Sequence, residues 1–199
     1  MISWISENYV EVLGVVFSLL YLIFSIRLNI LLWPMGIISA LLYMLVFYQS
    51  KFYADMGLNV YYFFISIYGW ILWKKSGTGT KKELIVSRIK LPVAGLLLGL
   101  TTVSFLGIGV ILDTYTDSPI PYWDAFTTAV SFTATWMLAR KILEHWILWI
   151  VVDAISMGLY LYRGLYPTLV LFTIYTTMAI IGHFEWRRAY FREAEKRGF

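Results

Sequence analysis

Asp153 is the residue of this chain most in need of a partner. It stands about ten residues into the apolar run 143–162, which at 1.5 Å per helical residue is roughly 15 Å deep, near the centre of a bilayer. A carboxylate there costs at least about 2.5 kcal/mol, and no Lys or Arg stands at comparable depth in another apolar run. A cationic ligand or a water-filled cavity would supply what is missing. Hydrogen bonds from nearby Thr and Tyr, or a bound proton, are the alternative. Trp146, Trp149 and Asp153 are spaced i, i+3 and i+7, along one helical face. Two indoles leading to one carboxylate suit a flat cationic ring, because cation–π attraction and charge pairing act on the same ligand. An interfacial anchor is the competing role for Trp146, which lies nearer the boundary.

Other chemistry is missing. The chain has no Cys, no HExxH, no GxSxG and no P-loop, and His145 and His183 lie at the ends of different runs without an acidic cluster. One deep carboxylate gives neither a nucleophile and base pair nor a metal site. The chain therefore reads as no enzyme, with no cofactor and no metal.

The elements that must position Asp153 follow from composition. Of 199 residues, 60% are hydrophobic and 14% charged, and the mean hydropathy is +0.72, whereas a soluble domain carries about 25% charge. The apolar start lacks the basic region and cleavage site of a secretory signal and is taken as a retained span. Division at charged and turn-forming clusters predicts seven transmembrane helices near 8–26, 29–49, 54–73, 89–112, 122–139, 143–162 and 166–184. A barrel is excluded because runs such as Leu31 to Phe47 have no period-2 alternation. The segment Lys74 to Lys90, with six basic residues and a Ser-Gly-Thr-Gly-Thr stretch, is the one evident linker. By alternation, fourteen Lys and Arg fall on one face and only Lys51 and Arg163 on the other, which places the N-terminus outside and the C-terminus in the cytoplasm. The pI of 9.2 then reflects topology, and no nucleic-acid motif accompanies it.

A shift of 113 residues aligns the first three spans with the last three without a gap: Arg27 on Arg140, Trp33 on Trp146, Tyr62 on Tyr175, Gly69 on Gly182 and Trp73 on Trp186. The extra fourth span restores direction, so the repeats run parallel in a 3+1+3 arrangement. The expected division is 1–75 first repeat, 76–118 linker and connecting helix, 119–188 second repeat and 189–199 cytoplasmic tail. Parallel repeats are a transporter architecture with substrate near the midplane between the halves. Asn59 and Tyr62, at i and i+3, would let an amide and a phenol address one ligand, and Tyr175 is the repeat mate of Tyr62. Trp33 and Tyr43 occupy the surface repeat-related to that of Trp146 and Asp153, with Ala40 in place of the carboxylate, so the pocket is expected to be asymmetric. Thr and Ser of the fifth span are read as packing residues. Pro34 and Gly36 are expected bending points in the second span.

The segment from Glu144 to Asp153, EHWILWIVVD, resembles the WxxWxxxN/D signature of the PnuC family of bacterial vitamin transporters. The segment Phe52 to Tyr62, FYADMGLNVYY, running into Tyr68 to Trp73, YGWILW, looks like that family's third-span motif. With the span count, the resemblance covers essentially the whole chain. It implies a SWEET-like fold in the bacterial cytoplasmic (inner) membrane, assembled as a homotrimer. It further implies vitamin uptake by facilitated diffusion, with trapping through a cytoplasmic vitamin kinase. The family's nicotinamide riboside members carry Asn at the position of Asp153 and Gln at that of Asn59. This chain departs at both, and its Asp, with the Trp33 to Gly36 run, looks closer to the thiamine-transporting PnuT branch. Thiamine is therefore the expected substrate, with nicotinamide riboside, also a flat cation, second. A substrate-binding subunit of an ATP-driven importer is less well matched, since Val15 to Ser25 shows no AxxxA docking face, and a membrane scaffold would leave Asp153 unexplained.

Overall fold

The structure, a computed structural model, describes residues 9–49, 53–76, 84–162 and 166–196. These form seven helices: α1 (Tyr9–Ile26), α2 (Leu32–Gln49), α3 (Tyr53–Ser76), α4 (Leu91–Tyr115), α5 (Pro121–Ala139), α6 (His145–Tyr162) and α7 (Tyr166–Lys196). The chain divides into two compact units, Met1–Leu84 and Ile85–Phe199. In unit 1, α1 packs on α2 and α2 on α3; in unit 2, α4 packs on α5, α5 on α6 and α6 on α7. The connecting helix α4 thus belongs with the three helices that follow it.

The internal repeat is written in the backbone. Leu28 and Lys141, 113 positions apart, are the described non-glycine residues with positive φ, at 54° and 55°. Each stands where a helix ends in a paired-carbonyl cap that usually calls for Gly. The Asn29 N–H donates to the Phe24 carbonyl at 2.9 Å and the Leu28 N–H to Ser25; the Ile142 N–H donates to Met137 at 2.9 Å and the Lys141 N–H to Leu138. After each turn a buried Trp begins the next helix. Trp33 lies against Gly69 and meets Trp73 edge-on at 5.5 Å, while Trp146 lies against Gly182 and meets Trp186 edge-on at 6.0 Å. Glycine is required at both places because a Cβ would overlap the indole.

Unit 2 has a strap that precedes α4. The Ser87 N–H donates to the Lys141 carbonyl and the Leu143 N–H to the Ser87 carbonyl. Glu144 accepts the Ile89 N–H at 2.9 Å and pairs with Arg88 at 3.4 Å. Leu97, Met137 and Ile142 seal this junction beneath Val93 and Trp136.

Among the described residues five stretches, Tyr9–Ile26, Leu32–Gln49, Met56–Lys75, Leu91–Tyr115 and Leu169–Lys196, are long and apolar enough to cross a bilayer, against seven spans expected. The apolar part of α6 is the shorter His145–Leu159, and α5 is not among the five. The reason lies in burial: α5 packs on both α4 and α6 and buries Ala125, Ala129, Ser131, Ala134 and Thr135, so small and hydroxyl residues replace large apolar ones. Its Thr133 hydroxyl meets that of Thr101 on α4 at 2.5 Å. By contrast α4 exposes Leu96, Leu98, Leu100, Val103 and Val110, a surface suited to lipid tails.

The last helix runs on past the span expected near 166–184, to Lys196, so most of the segment expected as a tail is helical. Ion pairs Arg188–Glu185 at 2.8 Å and Lys196–Glu193 at 3.4 Å, each at i, i+3, suit a helix that has left the apolar layer. Pro34 is not a bend within a helix. It falls in the first turn of α2, which begins at Leu32, where a missing N–H leaves no bond unmade.

Candidate functional site

Asp153 lies on α6, 6% exposed, with Ser156 one turn further and also buried. Along the antiparallel α6–α7 pair its level is bracketed by the Thr176 hydroxyl on Met157 Sδ at 3.3 Å and by Trp146 on Gly182. The residue of α7 at that level, Ala179, is buried and small. Among the described residues Asp153 makes no hydrogen bond and no ion pair. Trp149, one turn before it, is half-buried and so keeps part of its ring open. A buried carboxylate with a half-buried indole one turn before it is an arrangement that a flat cation would complete.

Trp146 takes a different part. It is 1% exposed, enclosed by Gly182, by Trp186 and by the His145 ring at 4.6 Å. Trp33, its mate in unit 1, is equally enclosed by Gly69 and Trp73. Both rings are buried against the neighbouring helix, Trp33 fully and Trp146 to 1% exposure. Tyr43 is also occupied by packing, its ring on Gly14 and stacked with Phe47 at 5.7 Å. Tyr175 is half-buried and meets Phe172 edge-on at 5.8 Å.

In unit 1, α3 presents Asn59, Tyr62, Ser66, Gly69 and Trp73 along one stripe, with Asn59 and Ser66 buried and Tyr62 half-buried. Ser66 and Tyr21 of α1 were absent from the sequence-based set. Both converge on Gly36 of α2, where an added Cβ would stand 2.9 Å from Tyr21 Cδ2 and 3.0 Å from Ser66 Oγ. Gly36, expected as a hinge, is thus a place of close approach. The signal was present in the repeat's mismatches: Gly36, Tyr21 and Ser66 align with Trp149, Ala134 and Ala179, a large ring exchanged between helices.

The His145 and His183 rings belong to the packing of the α6 base. His145 Nδ1 donates to the Ile142 carbonyl at 2.7 Å, which leaves Nε2 as an acceptor. No group of three or more metal-ligating side chains exists among the described residues.

Known proteins share this chain's sequence and architecture. Residues 8–188 match the family described as "Nicotinamide mononucleotide transporter". The chain is 26% identical to the nicotinamide riboside transporter PnuC of Escherichia coli, over 90% of this chain and 85% of that protein. It is 24% identical to the nicotinamide riboside transporter PnuC of Neisseria mucosa, over 92% and 73%. It resembles in fold the crystal structure of the vitamin B3 transporter PnuC, with a TM-score of 0.75 and 22% identity, over 96% of this chain and 85% of that one. The helical repeat, the apolar helices and the match over nearly the whole chain agree: this protein belongs to the nicotinamide mononucleotide transporter family, as a multi-pass protein of the bacterial cytoplasmic membrane.

Proposed function

We propose that this protein imports nicotinamide riboside by facilitated diffusion. The observation that carries the reading is the buried carboxylate of Asp153, without hydrogen bond or ion pair among the described residues, next to the half-open ring of Trp149. Nicotinamide riboside carries its permanent positive charge on a flat pyridinium ring. Such a ring stacks on Trp149 while its charge is met by Asp153. Tyr175, half-buried on α7, belongs to the same proposed contact set.

The expected order of substrates is reversed here. Thiamine is expected first from Asp153 together with the Trp33 to Gly36 run, yet both a thiazolium and a pyridinium satisfy a carboxylate. The named relatives above are nicotinamide riboside transporters, which favours the second of the two cations. Seven spans with the N-terminus outside, a homotrimeric assembly, and trapping by a cytoplasmic kinase complete the proposal, without a partner ATPase.

Isothermal titration of the detergent-purified protein with nicotinamide riboside and, separately, with thiamine tests it. Saturable heat with nicotinamide riboside and none with thiamine is the expected result. Binding of thiamine alone would overturn the assignment and restore the charge-based order.

A further inference from the structure

We infer that the end of unit 2 where α4 begins and α5 ends binds an anionic phospholipid, with the phosphate held by Lys90 and Arg140 and an acyl chain laid along α4. The inference is independent of the substrate reading and concerns a surface outside the Asp153 site.

Three observations carry it. First, one apolar face of α4 is uncovered. Leu96, Val103, Leu106 and Val110, at i, i+7, i+10 and i+14, share a stripe, and each is more than half exposed. Among the described helices α4 packs on α5 alone. The stripe is roughly 21 Å long, enough for the chains of one leaflet, which fill about 15 Å. Second, cations stand at its foot. Lys90, immediately before α4, is exposed and makes no ion pair among the described residues. The Arg140 guanidinium, at the end of α5, lies over the Trp136 ring, 5.2 Å from its centroid; cation–π attraction fixes the position of a charge without neutralising it. Val93, in the first turn of α4, and Trp136 pack on the same cluster of Leu97, Met137 and Ile142, so the two cations belong to one junction. Third, the acid of this junction is already engaged. Glu144 accepts the Ile89 N–H and pairs with Arg88. It balances Arg88, while Lys90, Arg140 and Lys141 add positive charge beyond that pair.

A phosphate ester with an apolar tail satisfies both halves of this surface, and Trp136 is of the type that marks the boundary between them. A second copy of the chain would cover the stripe but fits the charge poorly. Copies in one membrane share an orientation, so each would bring its own Lys90 and Arg140 to the same depth, like charge against like. The arrangement is also particular to unit 2: in the other repeat Trp136 and Arg140 align with Ile23 and Arg27, so the ring under the cation is missing.

The test titrates the full-length protein in detergent with dioleoylphosphatidylglycerol and, separately, with dioleoylphosphatidylcholine, and counts bound lipid by native mass spectrometry. Phosphatidylglycerol is expected to bind about tenfold or more tighter, since each cation at a lipid surface contributes about fivefold. Lys90→Gln and Arg140→Gln should each lower its affinity by about fivefold and leave phosphatidylcholine unchanged, whereas Lys196→Gln on α7 should change neither. Equal affinity of the wild type for the two lipids, or the same loss in Lys196→Gln, would overturn the site. Thermal stabilisation by inorganic phosphate alone, lost in Lys90→Gln, would replace the lipid by a soluble anion. Because the chain has no Cys, Val103→Cys reports on the stripe itself: no cross-link is expected on oxidation, and an efficient disulfide between copies would put a second copy there instead. Both substituted cations are exposed, and melting at the wild-type temperature in phosphatidylcholine separates a lost contact from a lost fold.

Discussion

Trp146 occupies the space that any side chain at residue 182 would need: a Cβ there would stand 2.5 Å from Trp146 Cζ2. In the first repeat Trp33 and Gly69 stand in the same relation. The pair draws α6 and α7 together at the base of the helix that carries Asp153, and its energetics are open to direct test. Gly182→Ala is expected to destabilise the protein by about 1–3 kcal/mol through overpacking, and Gly69→Ala likewise. Gly99→Ala on α4, where nothing lies within 4 Å of the new methyl, serves as the control and should be neutral or slightly stabilising. Equal melting temperatures for all three variants would deny the packing role.

The caps at Leu28 and Lys141 carry a backbone cost. An L-residue in the left-handed region is disfavoured by about 1–2 kcal/mol, and both positions have φ near 55°. Leu28→Gly and Lys141→Gly should therefore each raise stability by about 1 kcal/mol, once the added freedom of the unfolded glycine is deducted. A fall in the melting temperature of both would mean that their side chains contribute more than the backbone strain removes.

Glu144 fastens the strap through the Ile89 N–H at 2.9 Å more than through Arg88, whose side chain is largely exposed. In Glu144→Ala the Ile89 amide should exchange with solvent about fivefold faster, as loss of one bond of about 1 kcal/mol implies. The Ser87 amide, held by the Lys141 carbonyl, should keep its protection. Unchanged exchange at Ile89 would show that the backbone bridge alone holds the segment.

Asp153→Asn separates charge from shape. Affinity for nicotinamide riboside is expected to fall by about tenfold or more, the loss of an interaction between a charge and its counter-ion. Affinity for the uncharged reduced riboside, which keeps the ring substituent and the sugar, should change little. If both affinities fall together, the carboxylate acts as a hydrogen-bond acceptor and not as a counter-charge.

Pro34→Ala should leave transport within about twofold of wild type, because the first turn of a helix lacks that backbone bond in any case. A marked slowing in proteoliposomes would mean that the fixed φ of Pro34 sets the start of α2.

Much was legible in the chain itself. The apolar runs gave each helix to within a few residues at its start, because a spanning segment must be continuous and apolar. The 113-residue offset located Trp33 with Trp146 and Gly69 with Gly182, because rare residue types repeat only where the same packing recurs. Asp153 stood out because a lone carboxylate in an apolar run has no cheap solution. Helix type and repeat are local or periodic properties, and composition records them.

Partners across helices are another matter, and only the tertiary structure decided them. Trp146 and Trp149 share a face by spacing, yet the one is sealed by a glycine 36 residues away and the other is left partly open. Nothing in the spacing of α6 says which, since the answer depends on the side chain that α7 omits. Tyr21 and Ser66, 45 positions apart, both come to lie against Gly36 of α2, where a side chain would leave neither of them room. The sequence determined which segments are helices and where a charge is buried; the packing of one helix on the next decided which of its side chains remain free to bind.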